Sequence, residues 1–221
     1  MATRRASPAD TRQRLVEAAR HLFWERGYSA TGLADLLGRA EANSGSFYHF
    51  FESKDDVLRT VLDTYVAMLE PYVLAPAWSA TADPIARVFA LLDGYRQRLV
   101  ETECRYGCPI GRLALEIDTE NTPAHVLIAR NFSAWRDAVE ACLRAAGLVH
   151  PEEGAAFVLA VMEGAVMQAR ASRSIEPFDA CIRQLRAYIA ACPKRTSKVA
   201  GAATPRAKKR VRLPHSRVHR S

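Results

Sequence analysis

The chain has 221 residues, of which 49% are hydrophobic and 25% are charged, and it contains five cysteines. These values are typical of a globular protein with a substantial core, and an odd number of cysteines does not favour a disulfide framework. The longest uncharged stretch, residues 71–82, contains two prolines and is shorter than the ~20 apolar residues that a membrane-spanning helix needs. The composition therefore excludes a membrane protein, and without a visible secretory signal we expect a cytoplasmic location.

The net charge of +7 is concentrated at the C-terminus. Residues 193–221 contain ten Lys or Arg and no acid, so residues 1–192 carry 21 basic against 24 acidic side chains. This tail lacks aromatic residues and apolar periodicity, and it is predicted to be disordered. Two interpretations are open: the tail strengthens binding to a polyanion through counterion release, or it is a solubilising extension without a specific partner.

The remainder of the chain is predicted to be helical. Apolar residues recur every three or four positions from Leu15 to Phe23, and Gly27 is expected to end that helix in a left-handed conformation. Ser53, with an acid three residues later, is typical of a capped start of the next long helix. Prolines mark the other boundaries, with helix starts predicted at Asp83-Pro84, Thr122-Pro123, Pro151 and Pro177, and a kink or stop at Pro71 and Pro76. No alternating strand pattern occurs, so the predicted fold class is all-α.

A compact block of different texture separates the first two long helices. Residues 31–37 can form a short helix capped by the Thr31 hydroxyl, and residues 43–47 can form a second one capped by Asn43 or Ser44. Two short helices joined by a tight turn match the helix-turn-helix, whose second helix enters the major groove of DNA. The spacing alone is a weak indicator, because many helical hairpins share it.

The particular residues are more specific than the spacing. The pattern Thr31-x3-Asp35-Leu36, followed by the run from Gly45 to Phe51 and by Ser53-Lys54, resembles the DNA-binding domain of the TetR/AcrR family of bacterial repressors. Residues 106–114 resemble the effector domains of the LmrA/YxaF-like subgroup. The resemblance implies a three-helix helix-turn-helix domain (11–55) and a helical ligand-binding and dimerisation domain (56–192). A flexible arm (1–10) is predicted before them, and the disordered basic tail (193–221) after them.

The function implied by this resemblance is a ligand-responsive transcriptional regulator, in particular a repressor. It would bind a palindromic operator in double-stranded DNA as a homodimer and be released by a small molecule. Thr31 and Lys54 are expected to contact phosphates. The DNA-binding residues between Asn43 and His49 are expected to contact base edges or the nearby backbone. Carried over by position, the DNA-binding residues are Thr31, Asn43, Ser44, Gly45, Ser46, Tyr48, His49 and Lys54.

Three positions of this sequence depart from the family pattern. Glu41 stands in the turn where the family usually has Gly, so it either costs about 1 kcal/mol of strain or indicates a different turn. Ser44 replaces a common Lys, and Phe50 replaces a common phosphate-contacting His. Residues 1–59 carry nine Lys or Arg and eight acids, so the head is barely basic. The tail and the N-terminal arginines are candidates to offset that loss.

The second domain is expected to bind a small hydrophobic or aromatic effector in an apolar pocket between its central helices. The predicted lining residues are Met68, Tyr72, Phe89, Tyr95, Cys108, Leu113, Phe132 and Trp135. Small residues on the penultimate long helix permit the close helix approach of a four-helix dimer interface, although a monomer would use the same residues as core. The predicted interface residues are Phe157, Val161, Gly164, Ala165, Gln168, Phe178, Ile182, Leu185 and Ile189.

Cys104 and Cys108 are the strongest candidates for chemical reactivity. In one interpretation they sense oxidants or electrophiles, because Cys108 lies at a helix start beside Arg105 and Arg112, where the thiolate would be favoured. In the other they are small apolar side chains that fill the core or line the pocket. The alternative function is thus a small-molecule or redox sensor with weak DNA recognition.

No enzyme, metal or cofactor is predicted. The sequence lacks a phosphate-binding glycine loop, a nucleophile elbow and a metalloprotease motif. A structural zinc site needs four ligands, and His125 lies one helix away from the two cysteines. Glu116, Asp118 and Glu120 are interpreted as a solvated helix end rather than an acid–base pair.

Overall fold

The computed structural model describes residues 8–118, 120 and 122–195 of the chain. The predicted arm up to residue 7 and the predicted tail from residue 196 lie outside the described residues. The helices are α1 (Pro8–Glu25), α2 (Leu33–Ala40), α3 (Ser44–Phe50), α4 (Lys54–Met68), α5 (Ala75–Trp78), α6 (Pro84–Glu101), α7 (Pro109–Glu116), α8 (Thr122–Ala145), α9 (Pro151–Ser172) and α10 (Glu176–Ala191). The described residues contain no strand, only an isolated bridge between Leu148 and Lys194, so the all-α prediction is confirmed.

Three local helix signals, at Gly27, Ser53 and Asp83, are confirmed. Gly27 has a φ of 97°, the left-handed conformation that ends α1. The Ser53 hydroxyl accepts a hydrogen bond from the Asp56 amide at 3.2 Å, and Asp83 accepts one from the Ala86 amide at 2.6 Å. These caps satisfy amide groups that the first turn of each helix leaves without an internal partner.

The chain does not stop at Pro71. Instead α4 continues into a π-helical stretch, Leu69–Leu74, and then into the single turn of α5. A π-helical turn holds more residues than an α-helical one, and the Ala75 amide accordingly donates to the Glu70 carbonyl five residues back. Pro76 lies in the first turn of α5, where its missing amide hydrogen is not needed.

Two buried apolar clusters organise the molecule. The first joins α1–α4, and it also takes in Leu113 of α7 and Ile128 of α8. The second is built mainly by α6, α8, α9 and α10, with Trp135 and Phe178 among its largest members. Because α7 and the start of α8 complete the core of the N-terminal head, the head is packed onto the remainder of the chain through apolar contacts. The division at residues 55 and 56 stays a prediction.

The described helices include none that is both long enough and apolar enough to span a bilayer.

Candidate nucleic-acid interface and ligand cleft

Helix α3 exposes one face and buries the other. Phe47 and Phe51 are 1% and 2% exposed, and they anchor the helix in the core of the head. On the opposite face Tyr48 is 60% exposed, and Ser44 and His49 are exposed as well. Ser46 is half-buried and Gly45 is exposed. This is the arrangement expected of a helix that offers side chains to a groove.

The side chain of Asn43 has a structural role at the start of α3. Its Oδ1 accepts a hydrogen bond from the Ser46 amide at 2.8 Å, so Asn43 rather than Ser44 is the cap. Within the described part of the chain, the side-chain amide nitrogen of Asn43 has no hydrogen-bond partner, and Asn43 is exposed. Its predicted DNA contact stays a prediction, as do those of Ser44, Gly45, Ser46, Tyr48 and His49.

The turn between α2 and α3 uses a strained non-glycine residue. Glu41 adopts φ 48° and ψ 49°, and its amide lies against the carbonyls of Leu37 and Gly38. Of the two alternatives stated for Glu41, the structure shows the left-handed conformation rather than a different turn. That conformation costs an L-residue roughly 1–2 kcal/mol.

The prediction that Thr31 caps α2 is wrong. The helix begins at Leu33 with Gly32 as its cap, and the Gly32 amide donates to Asp35 at 2.9 Å. Thr31 is 0% exposed, and its hydroxyl donates to the Gly27 carbonyl at 2.6 Å. Because the turn after α1 directs this hydroxyl back into the head, it is not presented to a phosphate.

Lys54 is largely engaged within the head. Its Nζ donates to the carbonyls of Tyr28 and Thr31, each at 3.0 Å, and lies 4.0 Å from the centre of the Tyr28 ring. Tyr28 donates in turn to the Asp55 carboxylate. The pKa of the Tyr28 phenol is raised, mainly because the group is buried and secondly because of this hydrogen bond. Lys54 therefore holds the start of α4 against the turn after α1, and its predicted phosphate contact stays a prediction.

The C-terminal end of α1 meets the α6–α7 loop and α7 in a polar junction. The Trp24 indole donates to the Gly107 carbonyl at 2.8 Å, and its ring lies 4.9 Å from that of Tyr106. Arg112 donates to the carbonyls of Trp24 and Glu25 at 3.4 Å. A further bond of 2.5 Å joins its guanidinium to the Arg26 carbonyl. The guanidinium thus binds the carbonyls that the end of helix α1 leaves free.

Glu116 completes this junction. It accepts from Arg112 at 2.5 Å and from the Ser29 amide at 3.3 Å. Gly27 has a φ of 97°, which strains any L-residue, and a Cβ there would also force the Glu116 carboxylate and the Arg112 guanidinium to shift. The interpretation of Glu116 as part of a solvated helix end is therefore wrong, because its carboxylate is half-buried and paired.

A cleft with a volume of about 430 Å³ opens on the other side of α7. It lies between the α6–α7 loop, α7 and the C-terminal half of α9, and Arg112 belongs to both the cleft and the junction. Its lining residues are Arg105, Gly107, Cys108, Gly111, Arg112, Leu115, Glu163, Val166, Met167, Arg170, Ala171 and Arg173.

Buried polar groups lie at the inner end of this cleft. Cys108 caps α7 by accepting the Gly111 amide at 3.5 Å, and its thiol faces the Glu163 carboxyl. Burial raises the pKa of Glu163. Among the described residues, Glu163 Oε1 and the Trp135 indole nitrogen are buried without a hydrogen-bond partner. Tyr95 lies edge-on to Trp135 with ring centres 6.4 Å apart, and both rings belong to the second apolar cluster.

The activation of Cys108 that the sensor interpretation requires is wrong in direction. Burial, reinforced by the nearby Glu163, raises the pKa of the Cys108 thiol well above its ordinary value. Burial also raises the pKa of Cys104. The position of Cys108 at a helix start does not overcome its desolvation. Both thiols are free, and the structure gives no support to the sensor interpretation.

The predicted ligand-binding residues are scattered by the fold. Cys108 lines the cleft, whereas Tyr95, Phe89 and Trp135 belong to the second apolar cluster and Leu113 to the first. The Arg186 guanidinium covers the Phe89 ring at 3.8 Å. Met68 and Phe132 are half-buried and Tyr72 is exposed. Their predicted roles stay predictions.

Glu163, Gly111, Arg170 and Arg173 are cleft residues that the sequence analysis does not identify. Glu163 is the one charged residue between Gly154 and Ala169, a signal of a functional or specially paired acid.

Part of the predicted dimer interface is wrong. Ala165, Phe178, Ile182, Leu185 and Ile189 are buried in the core of a single protomer, where they cannot contact a partner. Phe157 is exposed, Gln168 is exposed, and Val161 and Gly164 are half-buried. The exposed Tyr188 of α10 was not predicted, and its ring lies 4.8 Å from that of Phe157.

Within the described residues, no three His, Cys, Asp or Glu side chains come together to hold a metal ion.

Comparisons with known proteins agree with this architecture. Residues 15–61 match the family model "Bacterial regulatory proteins, tetR family", and residues 84–184 match "Transcriptional regulator LmrA/YxaF-like, C-terminal domain". The chain is 30% identical over 175 residues to the HTH-type transcriptional repressor DhaR of Mycobacterium sp. (strain GP1), a match covering 76% of this chain and 86% of DhaR. It is 32% identical to an uncharacterised HTH-type transcriptional regulator of Mycobacterium tuberculosis, covering 84% and 97% of the two chains.

Solved structures give the same result. The reduced form of Escherichia coli NemR superimposes with a TM-score of 0.70 at 25% identity, covering 80% of this chain and 96% of that one. The helix-turn-helix geometry of α2 and α3, the two family models and these relatives lead to one conclusion. The chain is a transcriptional regulator that belongs to the TetR family and has a C-terminal domain of the LmrA/YxaF-like type.

Proposed function

We propose that the protein is a repressor whose homodimer binds a palindromic operator and is released when a small molecule enters the cleft beside α7. The single observation that carries this proposal is that α7 borders both the cleft and the polar junction with α1. The relatives DhaR and NemR are named as repressors, which supports the direction of regulation.

In this proposal the exposed face of α3 reads the operator. Tyr48 and His49 contact bases or phosphates, while Ser44, Gly45 and Ser46 allow a close approach of the backbone. A palindrome requires a partner related by a two-fold axis. The exposed faces of α9 and α10 around Phe157 and Tyr188 supply the apolar surface for such a dimer.

Release follows from the position of Arg112. A ligand that displaces Arg112 from the cleft side weakens its bonds to the carbonyls at the end of α1, and this changes how the head is held. The effector can act only if it binds the released state more tightly than the operator-bound state.

The test is a mobility-shift experiment with the DNA flanking the gene, at two salt concentrations. We expect a discrete complex in both, and an affinity loss of about tenfold in Tyr48→Ala, which equals ~1.4 kcal/mol. Tyr72→Ala is the matched control, because Tyr72 is an equally exposed tyrosine outside the head. Equal binding by both variants would show that α3 does not read the DNA.

Dimerisation has its own test by sedimentation. Phe157→Glu places a charge in the exposed apolar surface, and we expect it to convert a dimer into a monomer. Val126→Glu alters an exposed apolar residue on α8 and is the control. A wild-type monomer at all concentrations, or an unchanged Phe157→Glu dimer, contradicts the assigned surface.

A further inference from the structure

We propose that the cleft binds a small organic acid with a hydroxyl group at the end opposite its carboxylate. The hydroxyl lies at the inner end beside Glu163, and the carboxylate lies at the mouth against Arg170 and Arg173. This inference rests on the proposed function, because it specifies the chemical class of the effector for the same cleft.

The mouth carries guanidinium groups without acidic partners. Of the four arginines that line the cleft, Arg112 is paired with Glu116, and Arg105 is paired with Glu103 at 2.5 Å. Within the described residues Arg170 donates to a backbone carbonyl at 3.3 Å and has no carboxylate partner. No carboxylate pairs with Arg173 either in that part of the chain. Planar guanidinium groups bind carboxylates through paired hydrogen bonds, so the mouth favours an anion.

The inner end requires a neutral polar group. Glu163 Oε1 is buried without a partner, and an unpaired buried oxygen costs roughly 1–3 kcal/mol. A hydroxyl both donates and accepts, so it can bind this carboxyl in either protonation state, whereas the arginines at the mouth would repel a cation. The Val166 and Met167 side chains, which lie between the two ends along α9, suit the apolar body of such a ligand.

The chain makes room for the Glu163 side chain. A Cβ at Gly111 would collide with the Glu163 carboxylate, so a glycine in α7 permits this acid to turn toward the cleft. Between the acid and the arginines, Val166, Met167 and Leu115 form an apolar wall. The volume of about 430 Å³ lies within the range of small-molecule sites.

The experiment measures binding to the purified full chain by calorimetry, with 4-hydroxycinnamate as the probe. Cinnamate lacks the hydroxyl, and methyl 4-hydroxycinnamate lacks the carboxylate. We expect the probe to bind about tenfold more tightly than either analogue, the effect of one charge-assisted or buried hydrogen bond. Equal binding of the acid and its ester, or no binding by the probe at about 1 mM, overturns the inference.

Variants assign the two ends. Arg170→Gln/Arg173→Gln is expected to remove the preference for acid over ester, and Glu163→Leu to remove the preference for the hydroxyl. Arg136→Gln, an exposed arginine on α8 outside the cleft, is the control and should keep both preferences. Preferences that survive in the cleft variants place the ligand elsewhere and overturn the inference.

Failure of this inference is distinguishable from failure of the proposed function. The same variants are assayed for DNA binding without ligand, where we expect all of them to bind as the wild type does. DNA binding without any ligand preference overturns the ligand class alone. A ligand preference in a protein that does not bind the flanking DNA overturns the repressor proposal and leaves the cleft assignment standing.

Discussion

The exposed face of α3 and the junction between α1 and α7 differ in whether their polar groups have partners within the protein. On α3 the Tyr48 hydroxyl and the His49 ring are exposed to solvent. At the junction the Arg112 guanidinium contacts three carbonyls and one carboxylate. A recognition surface keeps its hydrogen-bonding groups available, whereas an internal contact satisfies them. The difference identifies which polar residues serve an external partner and which hold the molecule together.

The comparison predicts that substitutions at the junction destabilise the fold while those on the α3 face do not. Gly27→Ala should have the largest effect, because it forces an L-residue to a φ of 97° and collides with Glu116. We expect a loss of about 3 kcal/mol in the free energy of unfolding, measured by urea denaturation. Gly94→Ala in α6 is the control, since a Cβ there meets nothing within 4 Å, and it should stabilise the protein by up to about 1 kcal/mol. Similar results for both variants would break the comparison.

Arg112→Ala should have the next largest effect. It leaves the Glu116 carboxylate and the carbonyls at the end of α1 without their donor, and we expect a loss of about 2 kcal/mol in the free energy of unfolding. Arg144→Ala removes an arginine whose bond to Glu140 is on the surface of α8, and no measurable change is expected. If Arg112→Ala unfolds at the same urea concentration as Arg144→Ala, the junction is not a stabilising contact.

Asn43 lies beside the exposed face of α3, but unlike its neighbours there it has a structural role, because it caps the helix. Asn43→Ala removes the cap and should cost about 1 kcal/mol, while Asn43→Ser keeps a capping oxygen and should cost only a few tenths. Ser44→Ala, one residue later on the exposed face, should leave the urea midpoint unchanged. Any DNA-binding loss in Asn43→Ala must therefore be compared with Asn43→Ser before it is assigned to base contacts. Equal stability of the Ala and Ser variants would remove the structural role of Asn43.

The smallest predicted effect on stability is that of substituting Glu163. The Oε1 atom of this side chain is buried and has no hydrogen-bond partner among the described residues. Burial raises its pKa above the ordinary value of 4.5, so the folded state holds the proton more tightly than the unfolded state. Below pH 4.5 the Glu163 carboxyl is protonated in both states, and its burial destabilises the fold little. As the pH rises from 4.5 through the pKa of Glu163 in the folded state, the protein loses stability. Glu163→Gln should thus match the wild type at pH 4 and become more stable by up to about 1 kcal/mol at higher pH. Urea midpoints across that range measure the difference, and a pH-independent difference would contradict it.

The features of this molecule that the sequence predicts correctly are those that depend on neighbouring residues. Helix starts such as Asp83-Pro84 and Ser53 depend on one or two neighbouring residues, and the recognition motif lies within about residues 11–60. The predicted role of Thr31 as a helix cap is wrong, because its hydroxyl donates to a carbonyl of the preceding turn and does not bond the helix that follows. Neither outcome of that competition is visible in the sequence.

Non-local contacts account for the rest. The partners of Arg112 on α1 lie more than 80 positions away in the chain, and no pattern in the sequence announces them. For α9 and α10, an apolar stripe at helical spacing packs equally well against the chain's own core or against a partner. Because of that ambiguity, the sequence predicts Phe178 and Leu185 in the dimer interface, whereas the structure places them in the core of the protomer.

The shortness of α7 has a consequence for speed. The helix has eight residues and is about 12 Å long. An event at its cleft side is therefore one or two turns from the α1 carbonyls, so no large rearrangement of distant parts is needed. A shift of a packed helix belongs to the collective motions that take microseconds to milliseconds. Under the proposed function, the rate at which the protein leaves its DNA would then be set by ligand arrival and by the protein–DNA contacts themselves.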